Sequence, residues 1–195
     1  MHAAIATASV WIQRYASLIP DGEALDLACG GGRHARLLAG RGLAVTAVDR
    51  DPDALALAAG PGIATLACDL EADGAAWPFA AARYAGIVVT NYLHRPLMAD
   101  LAASLRPDGI LLYETFALGN EAYGKPTNPN FLLAPGELLA FAAAQGLRVL
   151  AYEEGLLAAP KPAMVQRLCA AGPAFARENA RLDGFRTPIL VKNEP

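Results

Sequence analysis

Short apolar runs alternate along the chain with stretches rich in alanine and leucine. Seven of these runs have the length and composition of β-strands. The predicted strands lie at 24–29, 44–49, 63–69, 85–91, 109–116, 148–155 and 164–171. Alternation of strands with helices is typical of a parallel sheet with crossover helices. We therefore predict an α/β fold with one seven-stranded, mostly parallel sheet and helices on both of its faces.

The last two predicted strands differ from the first five. The first five are almost continuously apolar, as expected for strands that are covered on both faces. Strands 148–155 and 164–171 are separated by a short loop and not by a helix, and such a connection joins antiparallel neighbours. We predict that this last pair is antiparallel.

Apolar residues at helical spacing precede the first strand and predict an amphipathic helix that ends near Pro20. They are Ile5, Ala8, Ile12, Tyr15 and Ile19. This helix either packs on the sheet or covers a ligand. The chain is then one domain with an N-terminal helix (1–20), a core (21–171) and a C-terminal tail (172–195).

Length and composition favour a single cytoplasmic domain. A chain of 195 residues with 54% hydrophobic content can bury roughly 70% of its unfolded surface in one core. The net charge is −3 and only three lysines occur, so no basic stripe indicates a nucleic-acid partner. No signal-peptide pattern and no apolar run of the roughly 20 residues that a membrane helix needs is present. The three cysteines are dispersed and odd in number, which favours reduced thiols.

The sequence lacks the characteristic motifs of several enzyme classes. No serine stands in a G-x-S-x-G elbow and no lysine follows the glycine cluster at 30–32, which disfavours a serine hydrolase and a P-loop nucleotidase. The histidines have no ligand spacing, so we predict no metal site. The "NYLH" that follows the fourth predicted strand lacks the two prolines of the adenine-N6 methyltransferases, which grip a flipped base.

Three glycines follow the first predicted strand. "GGGRHA" (30–35) satisfies the G-x-G-x-x-G/A pattern and opens a helix, which places free N–H donors beside a ligand. Asp26 precedes Gly30 by four positions, and its charge would repel a dinucleotide pyrophosphate but attract a cation. Asp49 ends the second strand, where a carboxylate can accept both ribose hydroxyls. Because NAD enzymes use the same arrangement, Asp49 alone does not discriminate.

The pattern Asp26-x-Ala28-x-Gly30-x-Gly32 resembles the first motif of the class I S-adenosylmethionine-dependent methyltransferases, which usually have glycine in place of Ala28. The resemblance implies that Asp26 engages the methionine end of the cofactor. It also implies that Asp69, in "CDLE", holds the adenine amino group, although a strand-end acid can equally cap a helix. The residues assigned to the cofactor are Asp26, Ala28, Gly30, Gly32, Asp49, Arg50, Asp69, Leu70, Asn91 and Arg14.

The segment 91–138 resembles the corresponding part of small bacterial methyltransferases of the tellurite-resistance type. This likeness runs from about Ser9 to about residue 170 and does not supply an acceptor. It implies the class I methyltransferase fold, S-adenosylmethionine as cofactor and S-adenosylhomocysteine as product. We expect a small-molecule acceptor, no nucleic-acid or membrane partner, and a monomer or homodimer.

Methyl transfer needs mainly the alignment of an acceptor with an activated carbon, so a general base is not obligatory. If one exists, His94 is the candidate, because it lies just beyond the fourth strand at the carboxyl edge of the sheet. A loop or capping role is the alternative for His94. The residues assigned to the substrate are Arg33, His34, Tyr113, Asn120 and Tyr123. Arg33 and His34, at the start of the first helix, contact the substrate or the cofactor carboxylate, or are merely exposed to solvent.

Two segments of the chain are candidates to cover the binding site, namely the N-terminal helix and residues 117–134. Arg14 on the N-terminal helix is a partner for the cofactor carboxylate, and Trp11 and Tyr15 either cover the cofactor or belong to the core. Residues 117–134 exceed the roughly 12 to 15 residues of an ordinary connection, so they either wall the acceptor pocket or shield the sheet edge. The remaining functional alternatives are an NAD(P)-dependent oxidoreductase and an S-adenosylmethionine-binding module without turnover.

Overall fold

The fold is built around one seven-stranded sheet, seen in a computed structural model that describes residues 7–180. The strands are β1 (Glu23–Leu27), β2 (Ala44–Asp49), β3 (Ile63–Ala67), β4 (Tyr84–Thr90), β5 (Leu105–Phe116), β6 (Arg148–Leu157) and β7 (Ala163–Ala171). Their order is β3-β2-β1-β4-β5-β7-β6. Strands β1 to β5 are parallel, and β7 is antiparallel to both β5 and β6. All seven predicted strands and the antiparallel last pair are confirmed.

Helices cover both faces of the sheet, as predicted. They are α1 (Val10–Tyr15), α2 (Arg33–Ala39), α3 (Pro52–Ala58), α4 (Met98–Ala103) and α5 (Glu137–Ala144). Side chains of α1, α2 and α3 pack with one set of alternate strand residues, and those of α4 and α5 pack with the other set. Neighbouring residues of a strand therefore enter different cores, as Ile110 and Leu111 of β5 do.

The N-terminal helix is shorter than predicted. Its first residue is Val10, because the Ser9 hydroxyl accepts a hydrogen bond from the Trp11 N–H and caps the helix. Ala8 therefore precedes the helix, and a 3₁₀ turn over Ala16–Leu18 follows it. The predicted position Ile5 lies outside the described residues.

The prediction that the first five strands are covered on both faces is wrong for β3. Its residues 64–67 are exposed, because β3 is the edge strand and has only β2 as a neighbour. Strand β5 also begins four residues before its predicted start, since Leu105 pairs with Tyr84 ahead of a register shift. An apolar run reveals neither feature, because both depend on neighbours that are distant in the sequence.

The three cysteines are free thiols. Cys29 and Cys169 are buried, and burial raises the pKa of each thiol to about 12. In the C-terminal tail, the described part includes a 3₁₀ turn at Arg177–Asn179, and residues 181–195 lie outside the described range. Within residues 7–180 no helix has the length and apolar character to cross a membrane.

Candidate functional site

The carboxyl ends of β1 to β4 meet at one edge of the sheet, and a cavity of about 280 Å³ lies there. After β1 the chain proceeds outward through β2 and β3, then returns to place β4 on the other side of β1. Such a change of direction is where open α/β sheets bind ligands. The cavity is lined by Ala28, Val48, Asp49, Arg50, Cys68, Asp69, Leu70, Glu71, Asn91 and Tyr92.

The turn between β1 and α2 has left-handed backbone at Ala28, Gly30 and Gly32, with φ angles of 53°, 50° and 74°. A Cβ on Gly32 would lie 2.6 Å from that of Ala58, so glycine is required there for α2 to approach α3. A Cβ on Gly30 would meet no atom within 4 Å, so this position opens onto free space. Ala28 adopts a conformation that costs an L-residue about 1–2 kcal/mol. Alanine in place of the usual glycine at position 28 therefore affects the backbone conformation of the turn.

Asp49 connects the end of β2 to this turn. Its Oδ2 accepts a hydrogen bond of 2.7 Å from the Gly30 N–H, and its Oδ1 accepts one of 3.0 Å from the Asp51 N–H. A carboxylate has about four acceptor positions. Asp49 lines the cavity, so it retains capacity for hydroxyl donors of a ligand.

Asp26 lies beneath the turn and does not line the cavity. Only 1% of its surface is exposed, and its Oδ2 accepts a hydrogen bond of 2.8 Å from the Ala35 N–H in the first turn of α2. Burial raises the pKa of Asp26 to about 7. The carboxyl group thus fixes the start of α2. Asp26 can affect a ligand only indirectly, by the electrostatic field of its charge or by the conformation that it gives the glycine turn.

The opposite wall of the cavity follows β3 and β4. Asp69 accepts a hydrogen bond of 3.0 Å from the Glu71 N–H, and Leu70 beside it is buried. Asn91 is left-handed, with φ 55°, and its N–H donates to the Glu114 carbonyl. Burial, followed by the nearby Glu71 carboxylate, raises the pKa of Tyr92, so its hydroxyl is protonated. Sequence reasoning missed Glu71, Tyr92 and Cys68, although each is adjacent in the sequence to an assigned site residue, namely Leu70, Asn91 and Asp69.

Three carboxylates and one guanidinium therefore line the cavity. The acids are Asp49, Asp69 and Glu71, and the cation is Arg50. This excess of negative charge favours a positively charged ligand group over a pyrophosphate.

His94 lies beside the cavity and not in its wall. Its side chain is 28% exposed, and its Nδ1 lies 4.0 Å from Oε2 of Glu71. His94 precedes a 3₁₀ turn at Arg95–Leu97 but makes no side-chain capping bond to it. His94 therefore occupies the loop position of the alternative without a side-chain cap, and a role as base stays a prediction.

His34, predicted as a substrate residue, is 1% exposed. Its Nε2 accepts a hydrogen bond of 3.1 Å from the Ser9 N–H, and its Nδ1 lies 3.3 Å from Oγ1 of Thr90. Burial lowers the pKa of His34 to about 3, so the ring is neutral. The substrate assignment is corrected, because both ring nitrogens have protein partners. Arg33 beside it is half-buried and has no hydrogen-bond or ion-pair partner among residues 7–180.

Two further substrate assignments are corrected on the same ground. Tyr113 is 2% exposed, and its hydroxyl donates to the Tyr92 carbonyl at 3.0 Å. Asn120 is 1% exposed, and its Nδ2 donates to the Pro126 carbonyl at 3.1 Å. Their polar groups are satisfied inside the protein. Tyr123 is exposed and stays a predicted substrate contact.

The assignment of Arg14 to the cofactor carboxylate is also corrected. Its Nη1 lies 3.7 Å from Oε1 of Glu153 on β6, and β6 is the strand at the opposite edge of the sheet from β3. Trp11 and Tyr15 are buried in the core, and the Trp11 indole N–H donates to the Leu168 carbonyl. The α1 helix thus packs on the sheet through these side chains.

Arg95, which sequence reasoning missed, holds the segment 117–134 in place. Its Nε and Nη2 donate to the two carboxylate oxygens of Glu137 at 2.7 and 2.9 Å. Its Nη1 donates to the Asn130 carbonyl at 2.8 Å, and Nη2 donates to the Leu132 carbonyl at 2.9 Å. One guanidinium therefore joins the chain after β4 to the end of this segment and to the start of α5.

Residues 24–109, somewhat less than half of the chain, match a family model described as a methyltransferase domain. No significant match was found among curated protein sequences. Solved structures share the fold. One is an S-adenosylmethionine-dependent methyltransferase from Mesorhizobium loti, with 17% identity, a TM-score of 0.66, and coverage of 86% of this chain and 100% of that one.

Two other structures are similar. TehB from Haemophilus influenzae has 20% identity and a TM-score of 0.64, with 80% of this chain and 59% of that one covered. Geranyl diphosphate C-methyltransferase from Streptomyces coelicolor, in complex with Mg²⁺, geranyl diphosphate and S-adenosyl-L-homocysteine, has 14% identity and a TM-score of 0.61, with 80% and 76% covered. At these identities the likeness shows the fold.

The sheet order and these structures show the class I methyltransferase fold, and residues 24–109 match a methyltransferase-domain model. The domain match agrees with the methyltransferase activity that the first motif predicts. The narrower tellurite-resistance group stays a prediction, because the likeness to TehB is one of fold.

Proposed function

We propose that the chain methylates a small-molecule acceptor at the carboxyl edge of β1 to β5. The observation that carries the proposal is the cavity of about 280 Å³, which is lined by Asp49, Asp69 and Glu71 beside the open glycine turn. The volume of the cavity is about that of one nucleoside. Its negative charge favours a positively charged sulfonium compound.

The cavity residues can hold the two ends of the adenosine. Asp49 accepts the ribose hydroxyls with lone pairs that its bonds to Gly30 and Asp51 leave free. Asp69 accepts from the adenine amino group, with Leu70 packing nearby. Ala28, Arg50 and Asn91 complete the walls.

Arg33 replaces Arg14 as the proposed partner of the cofactor carboxylate. It lies in the first turn of α2, directly after Gly32, and its guanidinium has no hydrogen-bond or ion-pair partner within residues 7–180. Positive side chains at the start of a helix oppose the helix dipole. A carboxylate ligand at this position would offset that cost.

Bound S-adenosylmethionine supplies an activated methyl group, so the protein has mainly to align the acceptor and exclude water. Residues 117–134 follow β5, beside β4, and we assign the wall of the acceptor pocket to them. His94 would take a proton from an acceptor that loses one, and Oε2 of Glu71 lies 4.0 Å from its Nδ1.

A small acceptor is supported by the absence of a basic stripe in the sequence and by one neighbour of the same fold whose structure contains geranyl diphosphate. An NAD(P)-dependent oxidoreductase is disfavoured, because three carboxylates and one guanidinium line the cavity, and this excess of negative charge opposes a pyrophosphate. A cytoplasmic location and a monomeric or dimeric state complete the proposal.

Two measurements test this function. Calorimetric titration should show binding of S-adenosylmethionine and S-adenosylhomocysteine and none of NADH. Incubation with methyl-labelled S-adenosylmethionine and a panel of small oxygen, nitrogen and sulfur nucleophiles should then label at least one of them. Preference for NADH would support the oxidoreductase, and cofactor binding with no labelled product across the panel would support the binding module.

A further inference from the structure

A polar cluster, buried except at one half-buried serine, joins α1 to the cavity edge of the sheet. It comprises Ser9, His34, Thr90 and Glu114, which we call the Ser9 cluster. The Ser9 N–H donates to His34 Nε2 at 3.1 Å, and the Ser9 hydroxyl donates to Glu114 Oε2 at 2.9 Å. His34 Nδ1 lies 3.3 Å from Thr90 Oγ1. The four residues come from four different parts of the chain.

The hydrogen bonds fix one tautomer of His34. Since a backbone N–H can only donate, Nε2 of His34 is the acceptor and carries no proton. Nδ1 therefore carries the proton and donates to Thr90 Oγ1. The low pKa of His34 keeps this neutral form at physiological pH, so the cluster has one arrangement.

Glu114 anchors the cluster on the sheet. Its Oε2 lies 2.7 Å from Nε of Arg167 on the adjacent strand β7, and Arg167 also contacts Glu153 at 3.2 Å. The carboxylate that accepts from the Ser9 hydroxyl is thus held by an almost buried ion pair.

The cluster contacts two segments that lead to the cavity, namely the start of α2 and the end of β4. His34 is the second residue of α2 and follows the glycine turn by two positions. Thr90 precedes Asn91, which lines the cavity and whose N–H donates to the Glu114 carbonyl. By contrast, Asp49 and Asp69 end β2 and β3, on the other side of β1.

This placement divides the site into two halves. If Asp49 and Asp69 hold the adenosine, the rest of the cofactor extends toward β1 and β4, where the glycine turn and Asn91 lie. The Ser9 cluster supports only those two segments.

We propose that Ser9 and His34 are positioning residues for the methionine half of the cofactor. Their hydrogen bonds make the docking of α1 part of the binding site, because they hold the start of α2 and the Thr90–Asn91 turn in one conformation. This inference rests on the proposed function, since it requires the cavity to bind the adenosine half.

The test compares two ligands. S-adenosylhomocysteine contains both halves, whereas 5′-deoxy-5′-methylthioadenosine lacks the amino and carboxyl groups of the methionine half. Ser9→Ala removes the hydroxyl that bonds Glu114 and caps α1, and so frees the Ser9 backbone whose N–H bonds His34. This variant should lower the affinity for S-adenosylhomocysteine by about 5- to 10-fold and change that for methylthioadenosine by less than twofold. Ser9→Thr keeps the hydroxyl and should bind both ligands like the wild type.

Ser17→Ala is the matched control, because it removes an exposed hydroxyl from the same N-terminal segment. His34→Gln provides a second variant if Ser9→Ala does not fold. It should show the same selective loss, since glutamine does not reproduce both ring contacts. Calorimetry gives the affinities, and thermal unfolding identifies folded variants.

An equal loss of both ligands would overturn the proposal, because it would indicate general destabilisation. Unchanged affinity for S-adenosylhomocysteine in folded Ser9→Ala would overturn it as well. Wild-type protein that binds neither ligand would instead overturn the proposed function on which the inference rests.

Discussion

The Asp49 carboxylate accepts a 2.7 Å hydrogen bond from the Gly30 N–H, so the end of β2 and the glycine turn are connected through a side chain. The same carboxylate lines the cavity. One residue thus shapes the turn and offers acceptors to a ligand. Its removal should affect both functions at once.

Asp49→Ala should weaken S-adenosylhomocysteine binding by about 1.5–3 kcal/mol, the range for hydrogen bonds that involve a charged group. Calorimetry measures the change. Asp53→Ala is the control, because it removes a nearby exposed carboxylate that does not line the cavity. Unchanged affinity in a folded Asp49→Ala protein would exclude this carboxylate from the site.

Asp26 should make the protein less stable as the pH rises. The unfolded chain ionises Asp26 near its ordinary pKa of 3.8, whereas the folded chain does so near 7. Between these values the folded state holds the extra proton, so the contribution of Asp26 is greatest below pH 4 and falls until about pH 7. At about 1.4 kcal/mol per pKa unit, the fall amounts to a few kcal/mol.

Asp26→Asn removes this titration and keeps an acceptor for the Ala35 N–H. Denaturant unfolding at pH 5 and pH 7.5 should show the variant gaining stability relative to the wild type at the higher pH. Titration of all other groups cancels in this comparison. A difference between the two proteins that does not depend on pH would contradict the raised pKa.

Ala28→Gly should stabilise the protein. A left-handed alanine costs about 1–2 kcal/mol, and glycine loses about 0.5–1 kcal/mol more backbone entropy on folding. The net gain in the free energy of unfolding is therefore between about 0 and 1.5 kcal/mol. In the control Ala47→Gly, which alters a buried position within extended β2, unfolding should become easier. Destabilisation by Ala28→Gly would show that the methyl group makes contacts worth more than the backbone cost.

The sheet was predictable because its signals are local. Continuous apolar runs mark the strands, and a short connection marks the antiparallel pair. Asp49 and Asp69 were predictable for a related reason: carboxyl ends of parallel strands converge at one edge, so strand-end acids meet there. Both line the cavity.

Four assignments failed, those of Arg14, His34, Tyr113 and Asn120, because burial or a distant partner decides whether a side chain is available to a ligand. His34 follows the glycine turn, as a ligand contact would, yet its partners are Ser9 and Thr90, 25 and 56 residues away. Asn120 lies in a loop sequence but turns inward to the Pro126 carbonyl. Arg14 was assigned by helix position, and only the sheet order places its partner Glu153 at the far edge. No local pattern encodes these contacts.

Arg95→Met should loosen the segment 117–134. It removes the donors to Glu137 and to the Asn130 and Leu132 carbonyls, while the partly exposed ion pair itself contributes about 1 kcal/mol or less. Hydrogen exchange measured by mass spectrometry should become faster in residues 118–134. Arg83→Met is the control, because Arg83 makes a similar paired contact with Glu23 at the other end of the strands. Equal exchange in both variants would show that Arg95 does not hold the segment.

The segment 117–134 can be shortened without disturbing its ends. Ala117 pairs with Leu133, and the Leu118 N–H donates to the Leu133 carbonyl at 2.9 Å. The two ends are therefore fastened to each other beside β5. Between them, Tyr123 and Phe131 are about half exposed, an arrangement that suits the wall of a pocket for an apolar acceptor.

Replacement of residues 119–130 by a short Gly/Ser linker should therefore nearly abolish methyl transfer and leave S-adenosylhomocysteine affinity within a few-fold of the wild type. The cofactor cavity takes no residue from this segment, whereas exclusion of water from the acceptor would be lost. Calorimetry and a turnover assay with any acceptor found active measure the two effects. Full turnover would contradict the pocket wall and favour a segment that shields the sheet edge. Loss of folding together with binding would instead show that the buried Asn120 makes the segment part of the scaffold.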